Sequence, residues 1–113
     1  MTVLLYLYGI EPNMRHHNYY VYIITNKNKT VLYTGVTNDL KRRLYEHENG
    51  VSPSFTKRYN CHYIVYYEHF TYIQHAIDRE KEIKKWRREK KDRLITKFNP
   101  DWKFLNEEIY EDF

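Results

Sequence analysis

Two β-rich runs around a short polar segment constrain this chain more than any other feature. Residues 19–25 read Y-Y-V-Y-I-I-T and residues 30–37 read T-V-L-Y-T-G-V-T, with Asn26-Lys27-Asn28-Lys29 between them. β-branched and aromatic residues flanking Asn-rich turn chemistry predict a β-hairpin. A two-residue turn at Lys27-Asn28 would set Tyr22 opposite Tyr33. Directly opposed residues share a sheet face, with Cβ atoms about 5 Å apart. Two phenols would then meet on one face, near Gly35.

A helix is expected next. Thr37 or Asn38 can cap it, Asp39 sits where the helix dipole favours an anion, and Gly50 ends it. Leu40 and Leu44 form its apolar side. Arg43 and His47, four residues apart, stand one above the other. Two tyrosines, an arginine and a histidine converge at one end of the hairpin, a set that suggests phosphoryl-transfer chemistry.

The 113 residues suffice for one domain with one modest core. A net charge of +4 allows a polyanionic partner without requiring one. The charge is uneven: Lys84–Arg93 is strongly basic, whereas the stretch after Pro100 is acidic. Cys61 is the only cysteine, which excludes an intrachain disulfide and a cysteine-based zinc site and suits a reducing cytoplasm. The longest apolar run, Val3–Ile10, is about half the ~20 residues of a membrane helix. It lacks the flanks of a signal peptide. A membrane partner is therefore not expected.

Residues 1–18 read as an N-terminal extension. Val3–Tyr8 suits an added edge strand or a poorly ordered end, and His16-His17 reads as solvated rather than metal-binding. Gly50–Asn60 reads as a loop, with Ser54, Thr56, Lys57 and Arg58 as candidate phosphate contacts and Phe55 as its anchor to the core. Residues 61–69 predict a third strand. Thr71 and Gln74 have the spacing of a capping box. Behind them Ile73, Ala76, Ile77 and Ile83 recur at helical spacing, and Glu80 falls on this stripe. A carboxylate on a core-facing line needs a basic partner or a metal; both readings stand on the residues alone. A third helix is expected over Glu89–Phe98, with Leu94, Ile95 and Phe98 inward and Trp86 and Trp102 at its ends. Residues 106–113 form an acidic tail without an assigned role. The predicted fold is α+β: a three-stranded antiparallel sheet with about three helices on one face.

Tyr20-Val21-Tyr22 and Tyr33-Thr34-Gly35, followed by Val36-Thr37-Asn38-Asp39-Leu40-Lys41-Arg42-Arg43, resemble the core motifs of the GIY-YIG nuclease superfamily. The likeness is closest to its small stand-alone bacterial members and spans residues 19–105. It implies a metal-dependent endonuclease acting on DNA, with RNA not excluded, possible roles on structured or damaged DNA in repair or recombination, and a protein partner as one source of specificity. It further implies catalytic roles for Tyr22, Tyr33, Arg43, His47, Glu80 and Asn99. Glu80 would hold a single Mg²⁺ or Mn²⁺ ion, and Gly35, Lys41, Arg42, Lys57 and Arg58 would lie against nucleic acid. Tyr20 and Thr34 depart from the motif letters, and Val36 stands where the excision-repair relative carries a lysine. The competing reading is a nucleic-acid-binding module of the same fold with little catalysis, held by charge and stacking. Glu82-Ile83-Lys84 also spells the E-x-K of another nuclease class, but it lies in a helical period where that class needs a strand.

Overall fold

A computed structural model describes residues 18–51 and 54–113. The possible edge strand at Val3–Tyr8 and the His16-His17 pair lie outside them. The elements run β1 (Tyr19–Thr25), β2 (Leu32–Thr37), α1 (Leu40–Glu48), α2 (Ser54–Arg58), β3 (Tyr63–Phe70), α3 (Ile73–Lys84), α4 (Arg88–Phe98) and α5 (Asn106–Asp112). The three strands form one antiparallel sheet in the order β2-β1-β3. β1 is central, and its residues 21–25 are all buried.

The hairpin forms, but its register differs from that of a two-residue turn. Tyr22 pairs with Gly35 and Ile24 with Tyr33. The turn still centres on Lys27-Asn28, because Lys29 N–H donates to the Asn26 carbonyl at 3.0 Å. Lys29 then takes a left-handed φ of 59°. Asn26 Oδ1 accepts from the backbone N–H groups of Thr30 (2.9 Å) and Val31 (3.0 Å). Both donors are thereby satisfied at the turn, and pairing resumes two residues later. A shift of two leaves every side chain on its face, so Tyr22 and Tyr33 still share one.

Helices cover both faces of the sheet, not one. Val21, Ile23, Val36, Val65 and Tyr66 pack with Ala76 and Ile83 of α3 and Ile95 of α4. On the other face Tyr22, Ile24 and Ile64 pack with Leu40 and Leu44 of α1 and Ile109 of α5. The alternation of β1 forces this division: its odd residues 21 and 23 and its even residues 22 and 24 are all apolar or aromatic, so each face needs a cover. The stretch expected as an acidic tail supplies part of the second cover. Ile109 is fully buried, and the acidic residues of α5 lie on its outer side.

The C-terminal end of α1 matches the sequence, and its N-terminal cap is displaced by one residue. Asp39 is the N-cap, one residue beyond the expected caps, and its side chain accepts from Arg42 N–H. Gly50 (φ 69°) and Val51 close the other end, donating to the carbonyls of His47 and Glu46. The capping box at Thr71/Gln74 does not form. The N-cap of α3 is Tyr72, without a side-chain cap, which puts Gln74 too early in the helix to reach back. Its amide donates to Asp78 instead, at 2.9 Å.

Asparagines protect the outer edge of β3. A bulge at Val65 shifts the β1–β3 register between Ile23 and Ile24. Asn99 Nδ2 donates to the Val65 carbonyl at 3.1 Å. Asn106 Oδ1 accepts from Ile64 N–H at 2.9 Å, and Leu105 N–H donates to the Ile64 carbonyl at 2.8 Å. The segment 99–106 thus satisfies edge groups that would otherwise invite another strand. Ile109→Ala tests whether α5 belongs to the fold: it is expected to cost about 2–5 kcal/mol in urea unfolding, whereas a dispensable tail would leave the midpoint unchanged.

Candidate active site

The cluster is built where the hairpin meets the last turn of α1. Tyr22 projects from central β1 and is 1% exposed. Its ring lies over Gly35: a Cβ at that position would stand 2.5 Å from the Tyr22 Cζ and Oη atoms. Gly35 therefore makes room for a tyrosine of its own sheet. The neighbouring β2 residue on that face, Tyr33, is half-buried, and its ring centroid lies 5.8 Å from that of His47.

Tyr22 Oη lies 2.8 Å from His47 Nε2. Arg43 Nε donates to the same phenol oxygen at 3.4 Å. Because Arg43 already donates to that oxygen, the phenol proton is assigned to the bond with Nε2, which leaves the oxygen able to accept once more. With that assignment the imidazole proton sits on Nδ1, 3.3 Å from Thr56 Oγ1, whose hydroxyl can accept it. Arg43 is held from its other side by Glu46 at 3.1 Å. Burial pushes the Tyr22 phenol well above its ordinary pKa of 10, against the opposing pull of Arg43. Burial, followed by the positive charge of Arg43 and by His62, lowers the His47 pKa from 6.5 to about 3. At neutral pH the phenol and the imidazole are both uncharged, and Arg43 carries the positive charge.

Glu80 comes from α3 and is 1% exposed. Lys84 Nζ stands 2.7 Å from its Oε1. That pair is close in distance but lacks hydrogen-bond geometry, and neither carboxylate oxygen has a hydrogen-bond partner among the described residues. A buried carboxylate held by one ion pair and no hydrogen bond keeps acceptor capacity, above all on Oε2, for another ligand. The same Lys84 Nζ lies 5.7 Å from the Tyr33 ring centroid. Lys84 thus links Glu80 to the tyrosine cluster across edge strand β2. No group of three or more His, Cys, Asp or Glu side chains stands together among the described residues. One buried carboxylate with an unsatisfied oxygen fits a hard divalent cation that keeps most of its waters and shares its shell with substrate.

The remaining site candidates fall elsewhere. Asn99 is occupied by main chain: besides Val65, its Nδ2 donates to the Lys103 carbonyl (2.9 Å) and its Oδ1 accepts from Lys103 N–H (3.1 Å). Its observed work is to hold β3 and the turn after α4. Lys41 lines a shallow cleft with Asn18, Tyr20, Asp112 and Phe113, at the start of α1. Arg42 Nη2 donates to Asn38 Oδ1 at 3.4 Å. Lys57 and Arg58 are exposed on α2. Thr56 is not a surface phosphate contact; it is 2% exposed and faces His47. Phe55, expected as an anchor, is 42% exposed. Both reversals arise because residues 54–58 are helical, which sends 55 and 56 in different directions. Reading α2 as loop hid Thr56, and Lys84 was legible only as the residue four beyond Glu80.

Residues 18–104 match the GIY-YIG catalytic domain. The chain belongs to the GIY-YIG family, a family of nucleases. Among its relatives are small proteins called UPF0213. One from Clostridium perfringens is 39% identical over 92 residues, covering 81% of this chain and 92% of that one. Another, from Staphylococcus saprophyticus, is 38% identical over 78 residues, covering 69% and 94%. The solution NMR structure of a UPF0213 protein from Bacillus halodurans is 34% identical, covers 70% of this chain and 83% of that one, and superposes with a TM-score of 0.45. No helix among the described residues is long and apolar enough to cross a membrane.

The lowered pKa of His47 sets a pH dependence. The unfolded chain takes up a proton near pH 6.5, whereas the folded one resists it down to about 3. This contribution to stability is complete above about pH 6.5 and is lost as pH falls toward 3, at up to about 1.4 kcal/mol per pH unit. Urea unfolding between pH 7 and 4 is expected to show a steeper loss for the wild type than for His47→Gln; parallel slopes would contradict a buried neutral imidazole.

Proposed function

We propose that the protein is a metal-dependent endonuclease hydrolysing phosphodiester bonds in DNA, with one Mg²⁺ or Mn²⁺ ion held by Glu80. The observation that carries this reading is the buried Glu80 carboxylate, without a hydrogen-bond partner, tied through Lys84 to the ring of Tyr33. A module that only binds nucleic acid has no use for a carboxylate at its phosphate site, where it would repel the ligand.

Each residue then has a chemical task. Arg43 carries the fixed positive charge of the cluster and would hold a non-bridging phosphoryl oxygen, where negative charge grows in the transition state. Tyr22 and Glu46 keep its guanidinium in place. Tyr22 is protonated at neutral pH, so it would not act as a ready phenolate. It can accept a proton from the attacking water on its oxygen as its own proton passes to His47 Nε2. The Arg43 charge helps keep His47 neutral. A phosphodiester opposite Arg43 would offset that charge and make the imidazole a better acceptor at the moment it is needed. Thr56 can accept from His47 Nδ1–H, which suits the tautomer that leaves Nε2 open to this proton. Tyr33 would hydrogen-bond the substrate from the exposed side of the cluster. Glu80 would hold a divalent ion, which when bound would supply Lewis-acid polarisation of the scissile phosphate.

Lys84 occupies the carboxylate that the ion would need. The resting site is charge-balanced by a lysine, and loading requires the ammonium to move.

The test compares cleavage of labelled duplex, flap, junction and single-stranded DNA with Mg²⁺ or Mn²⁺. Tyr22→Phe and Glu80→Gln are each expected to lose at least about a hundredfold in rate while remaining folded. Equal cleavage by all three proteins would reject this site. Tight binding without cleavage of any substrate would favour the binding module. A second readout needs no turnover: by electron paramagnetic resonance, Lys84→Met is expected to bind Mn²⁺ about tenfold more tightly than wild type, and Glu80→Gln to lose the site. Unchanged Mn²⁺ affinity in Lys84→Met would mean that the lysine does not compete.

A further inference from the structure

Beside the cluster, α2 and the turn that follows it carry two aromatic rings, Phe55 and Tyr59, that the proposed chemistry does not use. Phe55 is 42% exposed and Tyr59 41%. Their ring centroids lie 4.8 Å apart, and Phe55 lies 6.0 Å from the Tyr33 ring with the planes tilted by 31°. Aromatic surface therefore runs outward from His47 through Tyr33 to Phe55 and Tyr59. The same helix is fastened to the cluster from its other side, where buried Thr56 meets His47 and its carbonyl accepts from Cys61 N–H at 2.8 Å. Two rings that could have turned inward are held at the surface by an anchored element.

Charge identifies what such a surface takes. Lys57 and Arg58 are exposed on α2, and the Arg58 guanidinium stands 5.6 Å from the Tyr59 ring centroid. No Asp or Glu occurs between Glu48 and Glu68. Exposed rings bordered by cations, on a stretch of chain that carries no acidic residue of its own, fit a ligand that is flat, aromatic and attached to an anionic chain. A nucleobase in a duplex already has both faces stacked on neighbours, whereas an unpaired base offers a free face, and stacking on an aromatic side chain is tolerant of sequence.

We propose that Phe55 and Tyr59 form a stacking subsite for unpaired nucleobases next to the phosphate-handling cluster. This rests on the nuclease reading for its biological meaning: the substrate would carry single-stranded nucleotides beside the scissile phosphate, and a blunt duplex would be a poor one. The binding event itself does not depend on catalysis.

The test measures binding in EDTA, so that no metal-dependent cleavage intervenes. A short single-stranded oligonucleotide containing 2-aminopurine is titrated with wild type, Phe55→Leu, Tyr59→Leu and Phe55→Trp. A blunt duplex of the same sequence is titrated in parallel. Leucine keeps apolar bulk and removes the π-face; tryptophan keeps the face. Wild type and Phe55→Trp are expected to quench the 2-aminopurine fluorescence on binding. Each leucine variant is expected to lose about tenfold in single-strand affinity and under threefold in duplex affinity. Equal losses on both ligands, or none, would overturn the subsite. The two proposals fail separately. Quenching through Phe55 by a protein that never cleaves would sink the nuclease and leave the subsite. Glu80-dependent cleavage with equal single-strand affinity in wild type and Phe55→Leu would sink the subsite alone.

Discussion

The placement of the Tyr22 ring over Gly35 is the contact on which the candidate site depends. The ring can lie there only because β2 has no side chain at that position, and its hydroxyl then reaches the last turn of α1. Arg43 and His47, one helical turn apart, close on it from above. Gly35 and Gly50 thus do different work: one is an absence of volume, the other a left-handed end for the helix that delivers His47. Moving either would separate the phenol from its two partners.

The same burial sets the chemistry. Groups this enclosed are kept neutral, so the resting cluster holds a protonated phenol and a neutral imidazole beside one guanidinium. Across the edge strand the carboxylate is enclosed as well, yet it lacks the hydrogen bonds that usually accompany such burial. The site therefore has a positive side, fixed by Arg43, and an unsatisfied negative side, covered by a movable ammonium. An anionic phosphodiester and a divalent cation are complementary to these two sides together.

Much of this was legible in the residues. The hairpin, the C-terminal end of α1, the stripe of α3 and the anomalous Glu80 follow from period, capping and glycine placement. The hairpin register was not, because Asn26 binds two backbone donors with its side chain, and local turn rules count backbone only. Its face assignment survived because the error was an even number of residues. The second face of the sheet was missed because the Ile109 stripe is short and set among carboxylates. In that setting acidity conceals a helix whose inner side carries one decisive isoleucine. Asn99 shows the converse limit: a motif position says that an asparagine belongs there, but not that its amide faces the main chain of β3 rather than a phosphate.

The parts of the candidate site differ greatly in how far apart they lie along the chain. Tyr22, Tyr33, Arg43 and His47 fall within 26 consecutive residues, in a hairpin and the helix that follows it. Glu80 arrives after another strand, and its helix must dock against a sheet that β3 has completed. Contacts between near neighbours in sequence close with little entropic cost, whereas distant ones come later. The hairpin and α1 can therefore pair early, but the face that buries Tyr22 is closed only when Ile64 of β3 and Ile109 of the last helix arrive. The whole of this cluster is thus finished by the final residues of the domain rather than by the motif residues alone.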